Sequence, residues 1–297
     1  MKKTKIVIPA LGLLLLSTAA SVTGTVAWFS ANTSVNVTGM TVSTKVSGNL
    51  LICSTNIEAD YLAADLQQTK NGKVEPVSTV DGINWFYTKD KVNGLGRSAA
   101  ESVFQQVDTT DLAAFSTYYD VGETVVPYVD YAFYLKATTA TASQKVAITK
   151  CNFLYNNAAL GENDLAWRVA IYAQEVTVGA AVTSDGALKS ILSRSGAAYF
   201  DDKAVASISG AGIASFGAVS NPNAEAVIGT IDNANSTKYY KVVARVFLEG
   251  QDTKCLNETY VSLTANYSLT LTCALGDASG TSAVTGVTNI GSVVSGS

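Results

Sequence analysis

Histidine is absent from the 297 residues, and that omission removes more chemistry than any other feature of the chain. Ser-His and Cys-His nucleophiles need an imidazole base, and His-ligated metal sites need imidazole itself. The usual pH sensor near neutrality is missing too. Carboxylates are left as candidate acids, bases and cation ligands. The local groups are Asp108 with Asp111, Glu162 with Asp164, and Asp201 beside Asp202. A glycosidase needs two facing carboxylates, and a Ca²⁺ site needs several converging oxygens. None of these groups has EF-hand spacing, so each reads as solvated loop. Gly94-Leu95-Gly96 lacks both a third glycine and a preceding apolar strand, and reads as a turn rather than a phosphate cradle. No nucleophile elbow or P-loop occurs. The chain is therefore expected not to be an enzyme and to carry no cofactor or resident metal. A secreted hydrolase built from distant carboxylates is the residual alternative.

The four cysteines are Cys53, Cys151, Cys255 and Cys273, and none forms C-x-x-C. An even count would permit two disulfides in three pairings in an oxidising compartment, and at least one bridge is expected. The alternative is four buried thiols packed as small apolar residues. Glu249-Gly250-Gln251-Asp252 reads as a turn after a strand. Trp85, Phe86, Tyr118, Tyr119 and Tyr155 are the aromatics that a carbohydrate platform would use, although core or sheet-face packing is the favoured role for each.

Charged residues make up only 15% of the chain, against about 25% in ordinary soluble domains. Thr, Ser, Ala, Val and Gly fill the difference, a mixture suited to pleated sheets. The net charge is −4, and it becomes −7 without the first 27 residues, which carry three lysines and no acid. With no Lys/Arg cluster, nucleic acid and anionic lipid are poor partners.

Lys2, Lys3 and Lys5 precede an apolar run from Ile6 to Ser21, and Thr25-Val26-Ala27 then offers small residues at Thr25 and Ala27, where a signal peptidase reads. Residues 1–27 are expected to be a signal peptide, so the membrane and the peptidase are partners only during export. An uncleaved anchor is the alternative, since Ile6 to Phe29 is long enough to span.

Gly24-Thr25-Val26-Ala27-Trp28-Phe29-Ser30, followed by Asn36-Val37-Thr38-Gly39-Met40-Thr41-Val42, resembles the export signal and first strand of the TasA/camelysin-like family of secreted bacterial proteins. The resemblance covers about the first 50 residues. Its TasA side implies an extracellular fibre subunit, which needs no catalytic group. Its camelysin side implies a protease, but no zinc-protease centre can be carried onto a chain without histidine.

Period-two alternation supplies the elements. Tyr131, Phe133 and Leu135 alternate with small or polar residues, as do Trp167, Val169, Ile171 and Ala173, and Val242, Ala244, Val246 and Leu248. Lys145 to Leu154 is a further strand. Val261 to Cys273 alternates without a break, which predicts one apolar and one wet face. Short helices are expected over Glu58–Gln68, Arg97–Gln106 and Asp185–Ser193. The expected fold is all-β: an antiparallel, jelly-roll-like sandwich over 28–275, a partly helical insertion at about 58–115, and a low-complexity tail over 276–297 that is either disordered or an added strand. A two-domain split near Ser184 is the alternative.

After cleavage the new N-terminal segment is uncharged up to Lys45. Gly39 reads as a break in the strand signal, and on either side of it Val35 and Val37, then Val42 and Thr44, alternate with polar neighbours, so the segment can complete a sheet in its own chain or in another copy. The function expected is a secreted structural protein of the cell surface or matrix, self-assembling by strand addition. A monomeric adhesin or carbohydrate-binding module is the alternative. Intact-mass measurement on the secreted protein should place its N-terminus between Trp28 and Asn32; retention of Lys2 to Ala27 would refute the leader assignment.

Overall fold

The computed structural model describes residues 35–44, 49–62, 65–70, 73–79, 82–88, 104–119, 125–155, 167–193, 226–249, 267–276 and 288–289. These form an all-β structure with one α-helix. The strands are β1 (Val35–Thr44), β2 (Leu50–Cys53), β3 (Asp65–Gln68), β4 (Lys73–Val74), β5 (Phe86–Thr88), β6 (Phe104–Gln106), β7 (Val125–Val126), β8 (Val129–Thr139), β9 (Gln144–Tyr155), β10 (Trp167–Val176), β11 (Ala187–Ser193), β12 (Ala226–Ile231), β13 (Ser236–Leu248), β14 (Tyr267–Gly276) and β15 (Thr288–Asn289). The helix is α1 (Leu112–Tyr119).

One sheet runs β12-β9-β14-β1-β4-β7, with β3 also bonded to β1, and the other runs β15-β11-β10-β13-β8-β2. β5 and β6 make a separate pair. Most pairings are antiparallel, but β1 with β14 and β4 with β7 run parallel. Strands from both sides of Ser184 share each sheet.

The alternating residues do what their period requires. Tyr131, Phe133 and Leu135 of β8, Val242 and Val246 of β13, and Leu269 and Leu271 of β14 all join one buried cluster that draws on both sheets. β14 is described only from Tyr267, so the first half of the expected thirteen-residue strand lies outside the described residues.

β10 and β13 depart from the expectation of one wet face. A second cluster covers their other side, where Ala170, Tyr172, Val243 and Phe247 meet Trp85 and Phe115 from the 58–115 region. Trp85 and Phe115 thus roof the middle of the second sheet, and both faces of Trp167–Ala173 and Tyr240–Leu248 are buried.

Three expected helices need correction. Glu58–Asp60 is a single 3-10 turn, and Asp65–Gln68 is strand β3, recruited by the backbone of β1. Asp185–Ser193 contains β11, whose Ile191 and Leu192 bury toward opposite clusters while β10 pairs alongside. Phe104–Gln106 is strand, and the rest of the expected Arg97–Gln106 helix lies outside the described residues. In each case pairing with a neighbouring strand outweighs a helical propensity worth tenths of a kcal/mol per residue. Helix α1 was not expected. Its signal was Asp111 before Leu-Ala-Ala: the Asp111 carboxylate accepts the Ala113 N–H at 3.1 Å, as an N-cap does.

A buried cation fastens the roof. Arg245 lies on the covered face of β13, its guanidinium 3.9 Å from the centre of the Tyr128 ring and also over Trp85 and Tyr172. Its Nε and Nη2 donate to the two Asp130 oxygens at 2.7 Å each, and Nη2 also donates to Asp185 at 3.0 Å. Burial works against the charge, and the Asp130 carboxylate outweighs it, holding the guanidinium above its ordinary pKa. Lys241 adds a second tie to the same loop, donating to the Ser184 carbonyl at 2.7 Å. Arg245→Met should cost about 2–3 kcal/mol because Asp130 loses a bidentate partner. Asp130→Asn added to it should cost little more; fully additive losses in urea melts would show that the pair is not coupled.

Candidate assembly site

The segment expected to mediate assembly is β1, and the structure makes it an internal strand. Its residues from Val37 to Thr44 pair in parallel with β14. On the other side Met40 to Ser43 pair with β3, and Val35 and Asn36 pair with β4. The register slips between Val37 and Gly39, so the strand continues through the glycine that was expected to interrupt it.

Met40 and Val42 project into the main core and are at most 1% exposed. Thr41 and Ser43 face outward, and the Ser43 and Thr272 hydroxyls lie 3.4 Å apart across the seam. Val42 therefore sits as the alternation implied, and Thr44 is half-buried on the same side. For Val35 and Val37 the structure gives backbone pairing alone. Met40 was missed as an anchor because its neighbour Gly39 read as a break. β1 fills the gap between β14 and β3.

The other candidates separate clearly. Asp108 and Asp111 are turn-builders: Asp108 accepts from the Thr110 N–H at 2.8 Å and the Thr110 hydroxyl at 2.6 Å, and these bonds lower its pKa. Glu162, Asp164, Asp201, Asp202, Gly94, Gly96, Thr25 and Ala27 lie outside the described residues. Glu249, the first residue of the expected turn, is buried and bridges in parallel to Val77, and Gly250, Gln251 and Asp252 lie outside the described residues. Trp85 and Phe86 are buried as well, so neither offers a face to a sugar. The positions of the Tyr118, Tyr119 and Tyr155 rings fall outside the description. Among the described residues, no three His, Cys, Asp or Glu side chains gather as a metal site, and no helix is long and apolar enough to cross a membrane.

Cys53, Cys151 and Cys273 carry free, buried thiols, and Cys255 lies outside the described residues. No bridge of the expected kind joins the three that are described. Cys151 packs between strands in the main core, and Cys273 lies on the apolar face of β14 with Leu269 and Leu271. Burial pushes both thiols up, Cys273 to about 12, which keeps them protonated and unreactive. It likewise raises the phenols of Tyr172, Tyr240 and Tyr131, the last to about 12.

These groups are weaker acids folded than unfolded, so their contribution is complete below the ordinary thiol value of 9.0 and the phenol value of 10.0. Above these values the unfolded chain sheds protons first and stability falls, by up to about 1.4 kcal/mol per pH unit for each group. Urea midpoints should hold steady from pH 7 to 9 and then drop toward pH 11; a flat profile would contradict the burial of these groups. In comparisons with known proteins, no family model, curated protein or solved structure matches this chain.

Proposed function

We propose that this chain is a secreted structural protein of the cell surface or extracellular matrix. Its two sheets are read as an antiparallel, jelly-roll-like sandwich, and its copies join into fibres by exchanging β1. The observation that carries the reading is the parallel seam between β1 and β14. Antiparallel strands follow one another through hairpins, whereas a parallel neighbour must be reached by a longer path. β1 comes to β14 from the opposite part of the chain. A β1 from a neighbouring copy would make the same ladder, fill the same core positions with Met40 and Val42, and need no new type of contact.

Passed head to tail from copy to copy, with a rotation that does not close, an exchange of this kind builds a filament. The resemblance of Gly24–Ser30 and Asn36–Val42 to TasA-like exported proteins agrees with it. So does a composition low in charge and rich in Thr and Val.

The register gives a direct test, because Thr41 lies opposite Thr270 across the seam. Thr41→Cys and Thr270→Cys are placed in separate chains, refolded together, assembled and oxidised. A disulfide between the two different chains on a non-reducing gel is the expected result. Filaments without that cross-link would refute strand exchange but leave self-assembly standing. Monomer alone by light scattering at high concentration would refute both.

A further inference from the structure

The C-terminal segment was expected to be either disordered or an added strand, and two of its residues are a strand. Thr288 and Asn289 pair antiparallel with Ser193 and Leu192, forming the outermost strand of the second sheet. β11 is seven residues long, so among the described residues most of its outer edge, Ala187 to Ile191, has no strand beside it. An edge of this kind presents a row of backbone N–H and C=O groups to whatever extended chain is near. Lys189 is its one charged residue.

We propose that the outer edge of β11 is a strand-acceptor site and that its occupant is this chain's own C-terminal segment, running from Thr288 to Val294. Three observations choose that occupant. The pairing has already begun in the same chain, and its register, continued, places Ile290 opposite Ile191 and Gly291 opposite Ser190. Eight residues follow Asn289, enough at about 3.3 Å each to run the length of β11. After Asp277 the segment has no charge and no proline, so nothing in it opposes a sheet ladder.

Ile290 would extend the apolar surface formed by Ile191 and Leu188 at the margin of the second cluster. The segment then acts as an edge guard, holding backbone groups that another extended chain would otherwise pair with. This edge belongs to the second sheet and the β1 seam to the first, so the inference does not depend on strand exchange.

The test uses the mature full-length protein, a variant ending at Val287, and Ile290→Pro, which removes one N–H and bars a continuous ladder. Hydrogen exchange is followed by mass spectrometry on peptides covering Ala187–Ile191, with β8 peptides as the fold control. Both variants should exchange about tenfold faster over Ala187–Ile191 while β8 is unchanged, as expected when only a local unit opens. A synthetic peptide spanning residues 287–295 should restore protection to the truncated chain. Equal exchange in all three proteins would overturn the proposal. Loss of β8 protection in both variants would also overturn it, by making the segment part of the core rather than an edge guard. Protection that fades when the full-length protein is diluted would assign the site to a neighbour's tail instead.

Discussion

The structure depends on β10 and β13 being dry on both faces. A strand with one wet face can carry charge outward at no cost, and the buried stretches Trp167–Ala173 and Tyr240–Leu248 cannot. Yet Arg245 sits on the covered side of β13, where an unpaired guanidinium would be untenable. Asp130 from β8, Asp185 from the loop before β11, and the rings of Trp85, Tyr128 and Tyr172 all converge on it. One buried cation therefore ties β8, the loop before β11 and, through the Trp85 ring alone, the 58–115 region to the covered face of β13. A wholly apolar contact would hold the roof with less positional selectivity, since hydrophobic burial is non-directional.

Gly229 shows the same economy of space on the other sheet. A Cβ there would lie 2.3 Å from the Tyr240 ring, so the close approach of β12 to β13 requires the missing side chain. Tyr240 in turn donates its hydroxyl to the Thr230 carbonyl at 3.3 Å. At this corner the edge of the first sheet is drawn onto the second, and the main core is closed without a helix.

The long strands were legible because their period is set by burial on one side, and β8 alternates buried and half-buried residues along its whole length. The roof was not legible. Ala170, Tyr172, Val243 and Phe247 occupy positions that alternation assigns to solvent, and no local pattern tells which distant segment covers them. Short elements failed for a related reason. Asp65–Gln68 and Ala187–Ser193 have no strong period of their own, and their state is decided by the strand that pairs with them. Of the assembly segment, alternation found Val42 and passed over Met40, because a glycine was taken to end a strand where it only shifts its register.

The two chain-end strands are held by unequal forces, and that inequality bears on when each could change partners. β1 is bonded on both sides and buries Met40 and Val42, each contributing roughly 1.5–3 kcal/mol beyond its ladder. Releasing it from a finished subunit would expose β14 and β3 together, at a cost comparable to much of a domain's net stability of about 5–15 kcal/mol. The proposed exchange of β1 would therefore belong to the period before the first sheet closes. β15 is bonded on one side through two residues. Its release exposes only an edge, so it can open and close within the folded protein. An N-terminal strand committed during folding and a C-terminal strand in native-state exchange would let a subunit first build its permanent contact and afterwards keep its remaining edge covered.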